Sequence, residues 1–286
     1  IFKLGQLIAS SGYGGTFVYG IVKRALVPFG LHHVFYTPFY QTAIGGSMEV
    51  NGVLVHGAQN IFFAQLADPN LKHFSVEATK YFSGEFMIMM FGLPGAALAM
   101  YQCAKDKSKK VVRSLFLSAA LTSILTGITE PIEFAFIFVA PMLFVVDVFL
   151  AGTAFVLAQA LRVTIGFTFS CGLIDFLVFG VLQGNSKTHW VFIVIFGLIY
   201  FFLYYFSFRF LIKKFDLKTP GREDDNKLTI FNKKKMDYSF DQSLIDPQVQ
   251  MILKGLGGRR NFTDLDCCIT RLRATLQEPE LVSEAR

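Results

Sequence analysis

Long apolar stretches alternate with short breaks rich in Gly and Pro between residues 81 and 212 of the chain. The main stretches are Phe86 to Tyr101, Val112 to Phe169 with its internal breaks, and Trp190 to Ile212. A helix needs about 20 predominantly apolar residues to cross the hydrocarbon core of a bilayer, and the last stretch is long enough. The pattern predicts several membrane-spanning helices, and the polar and charged residues after position 212 predict a soluble module behind them.

The second stretch is interrupted at positions 127–134, which read Gly-Ile-Thr-Glu-Pro-Ile-Glu-Phe. The apolar runs on both sides of this interruption are each shorter than the roughly 20 residues of a simple span. Pro131 disfavours the helical region for Glu130 and is itself suited to the first turn of a helix. We therefore expect one helix to end near Thr129 and the next to begin at Pro131.

A helix break at membrane depth must have its free backbone groups buried in protein or facing a water-filled cavity, and such breaks form substrate sites in transporters. An ionisable side chain in this place is costly and is a functional candidate by default. We therefore predict that Glu130 binds a ligand hydroxyl or acts as a general base, with Thr129 beside it. Glu133 has a simpler interpretation: with Glu130 at the N-cap it falls at N3, where a carboxylate caps the helix.

Composition supports a membrane protein: of the 286 residues 53% are hydrophobic and 17% charged, and the mean hydropathy is +0.47. The net charge of +6 does not indicate a nucleic-acid partner, because the basic residues flank the apolar runs as the positive-inside rule predicts. They form two clusters that we expect in the cytoplasm: Lys105, Lys107, Lys109, Lys110 and Arg113, and then Arg209, Lys213, Lys214, Lys218 and Arg222.

The predicted fold is an α-helical integral membrane protein, a multi-span helical bundle with broken or re-entrant helices, followed by a truncated α/β cytoplasmic module. The expected boundaries are residues 1–215 for the membrane part, 216–246 for a cytoplasmic linker and 247–286 for the start of the second module. Within the first part we expect one or two helices ending near Pro28 to Gly30 and then an irregular segment, and a loop or compact hairpin over residues 47–80. The first residue is Ile and no leader sequence opens the chain, so we expect a fragment.

Arg24, His32 and His33 stand among apolar residues, where such side chains are costly unless they are paired or line a cavity. Arginine offers a planar fork for hydroxyls or a phosphate, so we predict Arg24 and His32 as binding residues, and for His33 binding and ordinary packing remain equal alternatives. Adjacent histidines do not have metal-ligand spacing, and we expect no metal and no cofactor. For Asp147 and Asp175, pairing between helices and contact with substrate also remain open.

The segment from Asp264 to Arg273 reads Asp-Leu-Asp-Cys-Cys-Ile-Thr-Arg-Leu-Arg. A thiolate is stabilised by nearby arginines or by a helix N-terminus, and a helix around residues 266–276 would put Arg271 on the same face as Cys268. We therefore predict Cys268 as a nucleophile; the alternative is an inert, exposed cysteine pair. The Cys-x5-Arg match from Cys267 to Arg273 is weak evidence for a phosphatase loop, because the glycines of a phosphate cradle are missing.

These motifs resemble the glucose superfamily of the bacterial phosphotransferase system. Its membrane enzyme IIC carries Gly-Ile-Thr-Glu-Pro-Ile-Glu-Phe and its enzyme IIB carries Leu-Asp-x-Cys-x-Thr-Arg-Leu-Arg, which match positions 127–134 and 265–273. Positions 208–223 also resemble the last span and the interdomain linker of the family. Three further segments, at 30–39, 57–70 and 173–184, look most like the maltose and α-glucoside branch.

The resemblance implies a plasma-membrane permease that imports a sugar and phosphorylates its 6-hydroxyl, with maltose or a related α-glucoside as the expected substrate. Cys268 would take the phosphoryl group from phosphorylated enzyme IIA and donate it to the sugar, and Glu130 or His32 would assist deprotonation. The expected phosphate-stabilising residues are Thr270, Arg271 and Arg273, and the expected sugar-binding residues are Arg24, His32, His33, Thr129 and Glu130. The other expected partners are membrane lipid and a second copy of the chain.

The chain departs from the family pattern in three respects. From the resemblance we expect that the N-terminal helices that form much of the family's dimer interface are missing from this sequence and that the IIB module continues beyond Arg286; Asp147 stands where relatives often have His. Three alternatives remain: a glucose-specific enzyme of the same system, a sugar transporter driven by an ion gradient, and a membrane receptor that binds sugar and signals through its tail.

Overall fold

The structure, a computed structural model, describes residues 2–222, 255–258, 261–268, 271–278, 280 and 282; at 2–4, 262–268 and 271–274 it describes the backbone alone. The chain divides into two compact units, Ile1–Leu228 and Thr229–Arg286. The first unit is built almost entirely of helices, and the described part of the second unit is dominated by one β-hairpin.

The N-terminal part of the first unit contains four helices and a hairpin. The helices are α1 (Phe2–Ser10), α2 (Gly12–Ala25), α3 (His32–Gln41) and α4 (Ala58–Leu66); strands β1 (Ser47–Val50) and β2 (Val53–His56) precede α4, and short 3-10 turns occupy Val27–Phe29 and Ala43–Gly45. The end predicted near Pro28 to Gly30 is confirmed, because Gly30 has φ 67° and closes the turn that follows α2. The irregular segment expected next was wrong, since α3 begins at His32.

Strands β1 and β2 confirm a compact hairpin in the region from 47 onwards. They pair antiparallel, with Val50 opposite Val53, and Asn51 and Gly52 form the two-residue turn. Both turn residues have positive φ, 53° and 79°. Asn-Gly is the sequence that two-residue hairpin turns favour, because both positions need a left-handed backbone.

The remaining helices contain the long apolar segments. They are α5 (Val76–Thr79), α6 (Glu85–Met87), α7 (Leu93–Cys103), α8 (Lys109–Thr126), α9 (Glu130–Ile137), α10 (Pro141–Ala160), α11 (Leu173–Asp175), α12 (Asn185–Thr188) and α13 (Val191–Lys214). A π-helical turn, Ile88–Gly92, joins α6 to α7, and another, Phe176–Val181, follows α11. Among the described residues, three helices are long and apolar enough to cross a membrane: Glu85–Cys103, Pro141–Ala160 and Val191–Lys214.

Small residues bring the helices of the first unit close together. A Cβ on Gly20 of α2 would lie 3.0 Å from the Cα of Gly152 in α10, and a Cβ on Gly152 would lie 2.9 Å from the side chain of Phe17. Gly95 of α7 likewise faces the backbone of Phe201 in α13. Close backbone approach at small residues is the usual packing mode in membranes, where burial of apolar surface gives little drive for helices to associate.

In the second unit, strands β3 (Phe262–Cys268) and β4 (Arg271–Leu276) pair antiparallel. The helix predicted around residues 266–276 was therefore wrong. The reason is visible in the sequence: Leu272, Ala274 and Leu276 alternate with more polar residues, and a period of two is typical of a strand. A three-residue spacing between a cysteine and an arginine does not by itself select a helix.

Candidate functional site

The helix break predicted around Glu130 is present. Helix α8 ends at Thr126, Gly127 follows in the left-handed region with φ 77°, and α9 begins at Glu130 with Thr129 as its N-cap. Glu130 is thus the first residue of the helix rather than its cap. Its Oε2 accepts a hydrogen bond of 3.1 Å from the N–H of Thr129, which leaves Oε1 available to a ligand.

A second break lies directly against the first. The backbone between α10 and α11 is non-helical over residues 163–172, and Ser170 donates a hydrogen bond of 3.0 Å to the carbonyl oxygen of Gly127. A Cβ on Gly127 would collide with the carbonyl oxygen of Ser170, and a Cβ on Gly172 would come within 2.5 Å of the backbone N of Gly127. Glycine at both positions therefore permits the two breaks to touch backbone to backbone.

A cavity of about 110 Å³ opens at these breaks. All five predicted sugar-binding residues line it, namely Arg24, His32, His33, Thr129 and Glu130. They come from α2, α3 and the start of α9, so the fold brings together residues as far apart as positions 24 and 130. Convergent polar groups in an otherwise apolar concave site are typical of a small-molecule site.

Arg24 also forms a buried ionic cluster behind the cavity. Its Nη2 lies 2.7 Å from Oε1 of Glu133 and its Nε lies 2.9 Å from Oδ2 of Asp147. Both carboxylates have fully buried side chains, and the hydroxyl of Tyr204 donates a hydrogen bond of 2.8 Å to Oδ1 of Asp147. Two carboxylates share one guanidinium, which holds α2, α9, α10 and α13 together around the site.

This cluster decides two open interpretations. The predicted capping role of Glu133 was wrong, because its carboxylate accepts no backbone N–H among the described residues and faces Arg24 across the helix interface. The ionic attraction of a buried arginine outweighs the weak interaction with the helix dipole. For Asp147 the structure shows pairing between helices. Among the described residues Asp175 pairs with no cation, and its carboxylate instead accepts hydrogen bonds from the backbone N–H groups of residues 168–171.

The two histidines differ in their surroundings. Their rings lie 4.1 Å apart, and Nδ1 of His33 lies 2.5 Å from the hydroxyl of Tyr36. Nδ1 of His32 is buried without a hydrogen-bond partner in the described part of the chain. A buried polar atom without a partner is costly, so this atom is a natural contact for a ligand.

A second buried ion pair beside the cavity is missing from the sequence-based prediction. Lys23 pairs with Glu85, and its Nζ also lies 2.7 Å from the hydroxyl of Tyr40 and 4.6 Å from the ring centroid of Tyr36. Lys23 and Glu85 both line the cavity. The available signal was the same one that identified Arg24, a charge inside an apolar segment, and Glu85 stands directly before the stretch that begins at Phe86.

In the second unit the hairpin register places Cys268 opposite Arg271 and Asp266 opposite Arg273. Proximity of Cys268 and Arg271 therefore follows from a strand pairing rather than from a helix face. Thr270 lies outside the described residues. Among the described residues no group of three or more His, Cys, Asp or Glu side chains has the arrangement of a metal site.

The sequence of the first unit matches the family model "Phosphotransferase system, EIIC" over residues 1–152, more than half of the chain. The chain belongs to the EIIC family. Residues 250–282 match a second model, "phosphotransferase system, EIIB". The EIIC part is thus a multi-pass segment of the bacterial inner membrane and the EIIB module is cytoplasmic.

Two curated relatives have the same order of parts. This EIIC–EIIB chain is 45% identical over 284 residues to the "PTS system glucose-specific EIICBA component" of Staphylococcus saprophyticus, covering 99% of the chain and 39% of the relative. It is 44% identical over 277 residues to the protein of the same name from Staphylococcus carnosus, covering 97% of the chain and 38% of the relative. The chain therefore spans about two fifths of the length of these relatives.

Proposed function

We propose that this chain is the sugar-binding and phosphoryl-accepting part of a phosphotransferase-system permease that imports glucose and phosphorylates it at the 6-hydroxyl. The observation that carries the proposal is the cavity at the helix break, where Arg24, His32 and Glu130 converge in a chain that also matches EIIB. For the membrane part, the linker and the second module we propose the boundaries expected from the sequence, 1–215, 216–246 and 247–286.

Glucose rather than maltose is the proposed substrate because both curated relatives are named glucose-specific. The expectation of the maltose and α-glucoside branch came from three short segments, whereas the identity to these relatives extends over nearly the whole chain. The glucose alternative is therefore the better supported one.

In the proposed mechanism the sugar lies in the cavity with a hydroxyl near the free Oε1 of Glu130. The S–P bond of phosphorylated Cys268 breaks as the O–P bond to the 6-hydroxyl forms, the thiolate leaves, and the hydroxyl proton passes to Glu130 or His32. Thr270, Arg271 and Arg273 would stabilise the charge on the transferred group. Phosphoryl transfer depends mainly on positioning and charge stabilisation, and this set of residues supplies both.

Three partners are proposed together with this function. Phosphorylated enzyme IIA regenerates the phosphocysteine by donating its phosphoryl group to Cys268. Lipid surrounds the EIIC part, in agreement with exposed apolar residues such as Phe202 and Phe206 on α13, 53% and 62% exposed. A second copy of the chain forms the expected homodimer.

The experiment uses the full-length protein in membrane vesicles with the general phosphocarriers, enzyme IIA and labelled phosphoenolpyruvate. We expect labelled glucose 6-phosphate, and Cys268→Ser should abolish labelling of the EIIB module. Cys267→Ser, one residue away, is the matched control and should keep the label. If the EIIB module of Cys268→Ser is still labelled, the assignment of Cys268 as the phosphorylated residue is overturned. If unmodified sugar accumulates in the vesicles without a phosphoryl donor, the protein is instead a transporter driven by an ion gradient.

A competition experiment tests the substrate. Unlabelled glucose and maltose are added at equal concentrations against labelled glucose bound to the EIIC part of the full-length protein. We expect glucose to compete with the higher potency. Stronger competition by maltose would overturn the assignment to glucose and restore the α-glucoside branch.

A further inference from the structure

Asp175 has a carboxylate that is occupied entirely by neutral donors. The side chain belongs to a residue only 3% exposed, and its two oxygens accept hydrogen bonds from the N–H groups of four successive residues, Thr168, Phe169, Ser170 and Cys171, at 3.1, 3.1, 3.1 and 3.2 Å. The hydroxyl of Thr168 adds a fifth bond of 2.9 Å. No cation lies within ion-pair distance in the part of the chain that the structure describes.

Backbone N–H groups that converge on one anion form a nest, and the anion fixes the path of the backbone around it. Residues 168–171, which we call the Asp175 loop, have no helical or strand hydrogen bonds of their own. Charge-assisted bonds from backbone N–H groups to a carboxylate are stronger than neutral ones. The shape of the loop therefore depends on Asp175 more than on any packing within the loop.

The Asp175 loop is also a wall of the sugar cavity. Phe169 and Ser170 line the cavity together with Thr129 and Glu130, and Ser170 is hydrogen-bonded to Gly127 at the neighbouring break. The ring of Phe169 is 65% exposed, so it offers an apolar face beside the polar groups of the site. Asp175 itself does not line the cavity.

We propose that Asp175 is a positioning residue that sets sugar affinity and selectivity by holding the Asp175 loop against the Glu130 break. The inference rests on the proposed function, since it assigns the loop as the wall that contacts a hexopyranose. In this arrangement Phe169 faces the apolar C–H face of the sugar ring, and the backbone and hydroxyl of Ser170 face its hydroxyls. Asp175 acts through the loop and touches neither the sugar nor the phosphoryl group.

Asp175→Asn is the sharpest variant because it keeps the shape of the side chain. An amide has one acceptor oxygen and an NH2 group, and the NH2 group would face N–H donors where the carboxylate accepts. The bonds lost are local, within seven positions of the chain, so the packing of the long helices keeps its own contacts. Asp68→Asn is the matched control, because the half-buried Asp68 also accepts a backbone N–H, from Asn70 at 2.9 Å, in a turn that does not line the cavity.

The measurements are the Kd for glucose by binding to the full-length protein, KM and kcat for phosphorylation, and the relative affinity for glucose, mannose and galactose. For Asp175→Asn we expect a rise of about tenfold or more in Kd and KM, a kcat within about threefold of the wild type, and a changed order or spread among the three epimers. Asp68→Asn should match the wild type in all of these. Labelling of Cys268 should stay unchanged, since phosphorylation by enzyme IIA does not use the cavity.

An unchanged Kd and an unchanged epimer ratio in Asp175→Asn would overturn the inference, as would a loss confined to kcat. If Asp175→Asn does not fold, Ser170→Ala tests the role of the loop instead, because it removes the hydrogen bond to Gly127 and leaves the nest intact. A wild-type ratio of affinities for the three epimers in Ser170→Ala overturns the inference. The proposed function fails differently, namely when the wild-type protein phosphorylates none of these hexoses. The Kd comparison is independent of phosphoryl transfer and separates the two failures.

Discussion

Arg24 and Asp147 stand 123 positions apart in the chain, yet Nε of Arg24 donates a hydrogen bond of 2.9 Å to Oδ2 of Asp147 in the interior of the helical unit. The same guanidinium faces Glu133, so one cation serves two carboxylates. A buried charge without a partner is far more costly than a buried pair. Arg24 should therefore matter more for stability than either Glu133 or Asp147.

Replacing Arg24 should cost more stability than replacing Asp147. Arg24→Gln leaves two buried carboxylates facing each other, and we expect a loss of about 3–5 kcal/mol, as for a broken buried ion pair. Asp147→Asn leaves Arg24 and Glu133 as a one-to-one pair and keeps an acceptor, so we expect a loss of about 1–3 kcal/mol. Thermal unfolding of the purified full-length protein measures the difference, and an equal or larger loss in Asp147→Asn would contradict the shared-cation arrangement.

Glu130→Gln should remove activity while the fold remains. The amide oxygen can still accept the N–H of Thr129, so we expect a melting temperature close to that of the wild type. If Glu130 takes the proton of the sugar hydroxyl, the rate of sugar phosphorylation should fall by about 10²–10⁴-fold. The rate is measured with saturating sugar and phosphorylated enzyme IIA, and labelling of Cys268 serves as the control for an intact EIIB module. A kcat within threefold of the wild type would exclude the role as base.

Gly127→Ala should disrupt the contact between the two breaks. The new methyl group meets the carbonyl oxygen of Ser170, and the left-handed φ of 77° adds backbone strain. Gly12→Ala is the matched control, because Gly12 also has positive φ, 54°, but a Cβ there would have nothing within 4 Å. We expect Gly12→Ala to lose about 1 kcal/mol and Gly127→Ala to lose several times more, together with glucose binding. Equal losses in thermal unfolding would show that the backbone contact adds nothing.

The Lys23–Glu85 pair should behave as a coupled unit. Lys23→Met alone leaves Glu85 buried and unpaired, and we expect a loss of about 3–5 kcal/mol, with a similar loss for Glu85→Leu. The double variant replaces both charges with apolar side chains and should regain most of the stability. A double-mutant cycle on thermal unfolding measures this coupling. Additive losses would show that the two side chains do not interact.

The helix break could be predicted from the sequence because its causes are local. Pro131, Gly127 and the charge of Glu130 act on their own neighbours in the chain, and each has a known effect on a helix. The burial cost of Arg24 and His32 is likewise a property of single residues in an apolar segment. These signals locate site residues, but they do not state which of them share a cavity or which are paired.

The remaining features depend on contacts that the linear pattern does not contain. Glu85 is 62 positions from Lys23, and no periodicity relates them. The nest around Asp175 requires the backbone of residues 168–171 to curl around a carboxylate four to seven positions further along the chain, and no periodic pattern in the sequence predicts this. The hairpin that carries Cys268 was predicted as a helix because the spacing to Arg271 fits both structures, and the alternation of Leu272 with its neighbours carried the better signal.

The segment from Asp216 to Arg222, at the start of the linker, should separate from the end of α7 only in acid. Asp216 follows α13, and hydrogen bonds from Lys218 and then from Arg222 lower the pKa of its carboxyl group below the usual value of 3.8. Arg222 also donates to the carbonyl oxygen of Cys103 at 2.9 Å, so Asp216 helps to hold this arginine at the end of α7.

A lowered pKa in the folded state means that the interaction stabilises the fold above the unfolded pKa and is lost as the pH falls through the folded value. The arrangement should therefore be unaffected between pH 5 and pH 8 and weaken only below about pH 4. Hydrogen exchange of the backbone N–H of Lys105, which is bonded to Gly221 at 2.9 Å, reports the local opening. Asp216→Asn should show the fast exchange already at neutral pH, and Asp106→Asn, an exposed control that pairs with Lys109, should not. Protection in Asp216→Asn equal to that of the wild type at neutral pH would mean that Arg222 keeps its position without the carboxylate.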